Sequence, residues 1–310
     1  MTPLYNILDK DKLDWTTGLT LFGCLLILPL LYQYFSRRYK CAASLQHPFV
    51  PKQPSINPNE WNDLEFMSKE TLSPDTALYH FKLKGEREML KVPTGYYVTV
   101  RVFLDGKEEI RHYTPVHPNE NVGHLDLIVK TYILGQVSKY FTHLKPGDKM
   151  SFKGPMGEFV YEDVQTTQLG LVAGGSGITP ILQVLSEYMY NPESLQRVSL
   201  IYLNERIDDI LLKDELDAMA QRYPQFQVHY VLHYPPTEAD VKCSGKHWDG
   251  DVGYITKKEM EKYLPECTDD HRLLICGPPD MTDLVLSHAR SLGWNSGFQK
   301  SKGDCKVFVF

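Results

Sequence analysis

The sequence predicts three parts in series: an N-terminal transmembrane helix, an antiparallel β-barrel domain and an α/β domain built on a parallel sheet. Three observations predict this order. Residues 15–35 form an uncharged apolar run; from about 59 to about 163 the pattern is all strand; after about 165 apolar runs alternate with helix-like stretches. The boundaries drawn are a tail over 1–14, the anchor over 15–35, a basic and proline-rich linker over 36–58, the barrel over 59–163 and the α/β domain over 164–310.

The anchor reads WTTGLTLFGCLLILPLLYQYF. A helix of that length crosses about 30 Å of hydrocarbon at about 1.5 Å per residue. Trp15 at one end and Tyr32, Tyr34 and Phe35 at the other fall where aromatic side chains settle at the two interfaces. Pro29 is tolerated in a membrane helix, where neighbours satisfy the freed carbonyl. The length of the run and the lack of an A-x-A site after it argue against a cleavable signal peptide. Upstream, Lys10 and Lys12 are mixed with Asp9, Asp11 and Asp14; downstream, Arg37, Arg38 and Lys40 meet no acid before Glu60. The positive-inside rule then puts the rest of the chain in the cytosol, as a single-pass protein. Endoplasmic reticulum and mitochondrial outer membrane both fit. Pro48, Pro51, Pro54 and Pro58 make the following segment a semi-rigid tether.

The remaining length suffices for two globular domains, each with its own core. A net charge of -6 excludes a generally basic nucleic-acid binder. Cys24, Cys41, Cys243, Cys267, Cys276 and Cys305 are scattered without a C-x-x-C pair, which suggests a reducing compartment.

In the barrel region Val98, Val100 and Val102 alternate with Thr99, Arg101 and Phe103, the period of a half-buried strand. Asp105-Gly106 supplies a hairpin turn directly after it. Leu125, Leu127 and Val129 alternate with Asp126, Ile128 and Lys130, and Pro146-Gly147-Asp148 turns the chain before Met150 and Phe152. Many short strands of this kind predict a small antiparallel barrel. Further on, the apolar runs 169–173, 198–203, 226–232 and 273–276 alternate with helices starting near Pro180, Lys213, Lys257 and Pro279. That rhythm predicts a parallel sheet covered on both faces, closed by a last strand over 305–310.

Four segments carry chemistry. Arg111-His112-Tyr113-Thr114-Pro115 ends a barrel strand with a planar fork of donors, a flat aromatic face and a hydroxyl, a plausible grip for FAD. Taken alone, it is more often an edge strand turning at a proline. Gly135-Gln136-Val137-Ser138 opens a helix with free N–H groups suited to a pyrophosphate, although taken alone it is more often a plain helix start. Lys130, Lys139, Lys145, Lys149 and Lys153 outweigh Asp148 nearby, reading as a solvated face or as a phosphate- and partner-docking face. Gly174-Gly175-Ser176-Gly177-Ile178-Thr179-Pro180 follows a strand and points a helix N-terminus at whatever lies above it. It is not the G-x-G-x-x-G fingerprint, since Pro180 takes the last position. Cys276-Gly277-Pro278-Pro279-Asp280-Met281 ends a later parallel strand, at the sheet edge where ligands bind.

In this order, with Gly154-Pro155-x-Gly157 and the terminal Val307-Phe308-Val309-Phe310, the segments resemble the NADH-cytochrome b5 reductase family of the ferredoxin-NADP reductase superfamily. The resemblance covers about Glu60 to Phe310. It implies an FAD-binding barrel, an NADH-binding α/β domain and a flavin between them. By resemblance, Arg111 holds the FAD pyrophosphate, Tyr113, Thr114 and Pro115 line the flavin, and Gly135, Val137 and Ser138 add backbone contacts. Thr179 lies beside the reactive edge of the flavin, within the Gly175 and Gly177 loop. Cys276, with Gly277, Pro278 and Met281, lies near the nicotinamide. Lys130 matches a lysine associated with NADH handling, and Asp209 matches the acid that favours NADH. The carboxylate of Asp209 suits a ribose 2′-hydroxyl and repels a 2′-phosphate. His112, Ser176, Leu134 and Tyr96-Tyr97 depart from the usual residues, without removing an expected cofactor contact.

The implied reaction is hydride transfer from NADH to FAD, then single-electron delivery to a separate acceptor. No Fe–S cysteine run is present, and Gln46-His47-Pro48-Phe49 lacks the glycines of a b5-type haem loop. Cytochrome b5 or a similar one-electron haem protein on the same membrane is the expected partner, with the lipid bilayer and without nucleic acid. A quinone or iron chelate as acceptor, and a membrane-tethered scaffold with a vestigial flavin site, are the competing readings.

Overall fold

The computed structural model describes residues 54–116, 120–161, 166–190, 197–237, 248–294 and 306–310. The expected anchor over 15–35 and its basic flank lie outside the described residues, as do Cys24, Cys41, Cys243 and Cys305. Among the described residues no helix is long and apolar enough to cross a membrane.

The N-terminal half is one six-stranded antiparallel sheet. Its strands are β1 (Asn62–Ser73), β2 (Thr76–Lys82), β3 (Tyr97–Leu104), β4 (Lys107–Tyr113), β5 (His124–Lys130) and β6 (Lys149–Met156), in the order β4-β3-β6-β1-β2-β5. The β3–β4 hairpin turns at Asp105 and Gly106, both at positive φ, which matches the right-handed twist of the strands. The sheet curls until β4 and β5 approach without pairing, and the short helix α1 (Gln136–Thr142) lies across that seam. Phe66, Tyr79, Phe81, Phe141 and Phe152 fill the centre. Phe81 meets Phe152 edge-on at 4.9 Å and Tyr79 meets Phe141 at 5.0 Å, geometry that contributes about 0.5–1.5 kcal/mol per pair beyond burial.

Two strand readings need correction. Ile128, placed by alternation on the outer face of β5 with Asp126 and Lys130, is buried with Val116 and Phe159 in a second core. The outer face of β5 meets the other half of the molecule, so both faces of the strand are dry there. The final strand is Val307–Val309, shorter than the run expected.

The C-terminal half is a parallel sheet of β7 (Gln168–Gly174), β8 (Arg197–Asn204), β9 (Phe226–Leu232), β10 (Asp251–Val252), β11 (His271–Cys276) and β12 (Val307–Val309). Helices α2 (Ile178–Tyr190) and α3 (Lys213–Arg222) pack on one face; α4 (Lys257–Tyr263) and α5 (Pro279–Ser291) pack on the other. The order is β10-β9-β8-β7-β11-β12. The chain steps from β7 outward through β8 to β10, then returns to place β11 on the opposite side of β7. The crevice above the C-terminal ends of β7 and β11 is therefore the topological switch point, where open α/β sheets bind ligands.

The two halves share a core. Val116, Ile128 and Phe159 from the first pack with Ile181, Leu185 and Tyr188 of α2. Phe159 also meets Phe308 and Phe310 at 5.0 and 5.1 Å. The buried Gln183 of α2 accepts from the Gly95 N–H at 2.8 Å and donates to the Pro115 carbonyl at 2.9 Å.

Candidate active site

Two groups of side chains meet where the seam of the antiparallel sheet opens toward the switch point. The first belongs to the seam. Arg111 and Tyr113 are two residues apart on β4 and so share a face, opposite to His112. Tyr113 is covered by α1, its ring 5.2 Å from Phe141, and burial pushes its hydroxyl pKa up. Arg111 lies beyond that cover and is exposed. Among the described residues its guanidinium reaches Glu109 at 3.3 Å and the Ile110 carbonyl at 2.6 Å. His112 turns away, with Nδ1 3.1 Å from Thr99 Oγ1 and its ring against Tyr97. Burial and the neighbouring Arg111 hold its pKa below the ordinary histidine range.

At the start of α1, Gly135 provides no side-chain cap, which leaves first-turn N–H groups for an acceptor outside the chain. The Ser138 hydroxyl is used locally: it donates to the Gly135 carbonyl and accepts from the Tyr132 N–H, both at 3.2 Å. A Cβ on Gly135 would collide with that hydroxyl. Val137 is buried, its side chain packed in the core of the antiparallel sheet.

The second group lies above the sheet. Gly175 sits at φ +52, with its α-carbon facing open space bounded by Lys130. A Cβ on Gly177 would run into the Cys276–Gly277 backbone, so this glycine serves the close approach of two loops. Met281 fills the space over Gly174 and Gly277. Thr179 is buried and donates to the Ser176 carbonyl at 3.1 Å. It lies one turn before Gln183, on the helix face turned toward Pro115. Cys276 is a free thiol, and burial pushes its pKa up to about 12.

Lys130 and Asp209, read separately from the sequence, are paired at 2.9 Å. Lys130 also meets Asp75, in the β1–β2 turn, at 2.9 Å. Its side chain is only 9% exposed, so it leaves the exposed basic face to which the sequence assigned it. Burial opposes its charge, but bonds to Asp209 and Asp75 raise its pKa above the ordinary lysine value. The other Asp209 oxygen accepts from the Arg206 N–H at 3.0 Å.

Sequence reasoning missed Asp75, Gln183 and Asn204. Asn204 ends β8 and is buried, yet among the described residues neither its amide nitrogen nor its oxygen has a partner. An orphaned amide at the C-terminal end of a parallel strand, a few residues before Asp209, fits a nucleotide that supplies the missing bonds. A polar residue ending the otherwise apolar run VSLIYLN was the available signal. A separate cavity of about 290 Å³, lined by Val92, Thr94, Tyr96, Phe159 and Glu187 among others, contains none of the expected site residues.

A curled antiparallel sheet with an uncapped helix and an exposed arginine, joined to a parallel sheet at its switch point, fits a flavin- and pyridine-nucleotide-dependent oxidoreductase. The family models agree. The FAD-binding domain of oxidoreductases matches residues 63–161 and the NAD-binding domain of oxidoreductases matches residues 171–286.

The chain belongs to the NADH-cytochrome b5 reductase family, within the ferredoxin-NADP reductase superfamily. It is 38% identical over 259 residues to NADH-cytochrome b5 reductase 1 of Mycosarcoma maydis, covering 83% of this chain and 77% of that protein. It is 49% identical over 284 residues to the plasma membrane-associated coenzyme Q6 reductase PGA3 of Saccharomyces cerevisiae, covering 91% and 86%. Among solved structures, the cytochrome b5 reductase domain of Ulva prolifera nitrate reductase superimposes with a TM-score of 0.72 at 28% identity. That match covers 83% of this chain and all of that one. The cofactors are FAD and NADH.

Proposed function

We propose that this chain passes electrons from NADH to a one-electron acceptor, cytochrome b5 or a similar haem protein, at the surface of a membrane. The observation that carries the reading is the convergence of the β4–α1 seam with the β7 and β11 loops around Lys130. Arg111 and the backbone of Gly135, Val137 and Ser138 hold the FAD pyrophosphate, while Tyr113, Thr114 and Pro115 line the ring system. Thr179, at the start of α2, faces the reactive edge. Asp209 receives the 2′-hydroxyl of the adenine-side ribose, with Lys130 fixing its orientation. Cys276, Gly277, Pro278 and Met281 wall the nicotinamide and exclude water. FAD held by these residues would supply the redox chemistry, hydride acceptance from NADH and delivery of single electrons. The protein supplies alignment and a dry site; the high thiol pKa keeps Cys276 neutral there, so it adds no charge beside the nicotinamide. The anchor over 15–35 tethers the two domains, 59–163 and 164–310, to the cytosolic face of the endoplasmic reticulum or the mitochondrial outer membrane.

A second reading keeps the chemistry and exchanges the acceptor for a quinone. The relative named as a coenzyme Q6 reductase supports it, as do Ile133 and Leu134, exposed apolar residues directly before α1. The test is to give the full-length, FAD-loaded protein NADH and, in turn, cytochrome b5, a short-chain ubiquinone and a ferric chelate. Rapid, saturable reduction of cytochrome b5 supports the first reading. Faster turnover with the quinone, and none with cytochrome b5, replaces it with the second.

A further inference from the structure

On the outer face of the antiparallel sheet lies a polar cluster that the flavin chemistry does not use. His80 on β2 and Asp126 on β5 are direct cross-strand partners, and His124 stands two residues before Asp126 on the same face. His80 Nδ1 is 2.7 Å from Asp126 Oδ1, and His124 Nε2 is 3.4 Å from Asp126 Oδ2. The three ligand atoms lie within 4.8 Å of one another. Asp126 is buried, whereas the imidazoles are partly open to solvent, at 24% and 34%.

The tautomer of His124 is set by its own loop. Nδ1 stands 3.0 Å from the Val122 carbonyl oxygen. A carbonyl only accepts, so Nδ1 carries a proton, and Nε2 is the ring nitrogen turned toward the Asp126 carboxylate. Asp126 Oδ2 is further oriented by the Asn121 amide at 3.0 Å, an outer-shell bond of the kind that fixes ligating carboxylates. The 3.4 Å spacing is the edge of a tetrahedron whose ligands stand about 2.1 Å from the ion. His80 Nδ1 meets the other carboxylate oxygen, Oδ1, at 2.7 Å, so a shared ion requires Asp126 to turn one oxygen toward both imidazoles.

We propose that His80, His124 and Asp126 form a binding site for a divalent transition-metal ion such as Zn²⁺, with the fourth position open to water. Two imidazoles with one carboxylate suit zinc and disfavour magnesium and calcium, which take oxygen ligands. The ion ties β2 to β5. It also steadies Val116, directly after Thr114-Pro115, because Asn121 donates to the Val116 carbonyl at 3.1 Å and the Val116 N–H donates to the Asp126 carbonyl at 3.0 Å.

The experiment strips the full-length, FAD-loaded protein with a chelator and titrates it with Zn²⁺ against a chromophoric competitor. The expected result is one ion per chain, bound at least about tenfold more weakly by His124→Ala and by Asp126→Asn. Both variants should keep their flavin and its reduction by NADH. No zinc uptake at micromolar concentrations, or equal affinity in a His80→Ala/His124→Ala double variant, overturns the proposal. If the double variant loses its flavin, X-ray absorption at the zinc edge of the wild-type protein decides. Two imidazole scatterers support the site, and a sulfur ligand overturns it.

Discussion

Removing Asp209 takes away both a carboxylate suited to the ribose and the counter-charge of Lys130. Asp209→Thr is predicted to lower the NADH-over-NADPH ratio of kcat/KM by at least about tenfold; an unchanged ratio would refute the role. In a double-mutant cycle with Lys130→Met, the two effects should be non-additive, because the residues touch. Lys130→Met strands a largely buried carboxylate at Asp209 and a more open one at Asp75, a loss of roughly 2–3 kcal/mol after allowing for solvent screening at Asp75. The raised lysine pKa means that its contribution is complete below the ordinary lysine value and is lost as pH rises through the folded value. Asp75 acts in the opposite direction. Burial raises its pKa, bonds to Lys130, Thr76 and Ser73 outweigh that, and the stability it adds is lost as pH falls through its lowered value. Cys276, with its pKa pushed up to about 12, should react with iodoacetamide slowly at pH 7 and about tenfold faster per pH unit up to pH 9. Peptide mass spectrometry reads the rate at that one cysteine, and fast modification at pH 7 would contradict the burial that sets it. Lys130 and Asp209 were each singled out in the sequence. Their pairing was not, because 79 residues separate them.

The strand, glycine turn and helix of residues 168–190 could be read directly, since an apolar run, three glycines and an early proline admit few other local structures. The reason for each glycine could not. Gly175 is required by its own positive φ, whereas Gly177 is required by the Cys276 loop, about a hundred residues away in sequence. Gly177→Ala should therefore push the β7 and β11 loops apart, costing about 1–3 kcal/mol. Denaturant unfolding measures that cost, and NADH affinity should weaken with it; a variant of unchanged stability would mean that the loops are not in contact. The same limit explains β5. Its alternation marks one buried face correctly, but only the tertiary arrangement buries Ile128 on the other. Asn204 was overlooked because its unmet hydrogen bonds appear only once the strand is covered.

At the scale of the molecule, the order of antiparallel strands followed by alternating strands and helices was plain from periodicity, and it matches both domain families. How the halves join was not, because the joint rests on single residues. Gln183 is the clearest of them, a lone amide on an apolar helix that bridges Gly95 and Pro115. Gln183→Leu leaves a buried N–H and a buried carbonyl unpaired, for a predicted loss of about 2–4 kcal/mol. It should also slow flavin reduction, since Pro115 belongs to the proposed cofactor wall; a variant with wild-type Tm and rate would remove Gln183 from the joint. The claim beneath all of this is that FAD at the seam stands within hydride reach of NADH bound at the switch point. Anaerobic titration of the purified, FAD-loaded chain with NADH tests it most directly. The account predicts that the flavin absorbance bleaches in proportion and is complete at one NADH per FAD. Flavin that stays oxidised in the presence of excess NADH would contradict it.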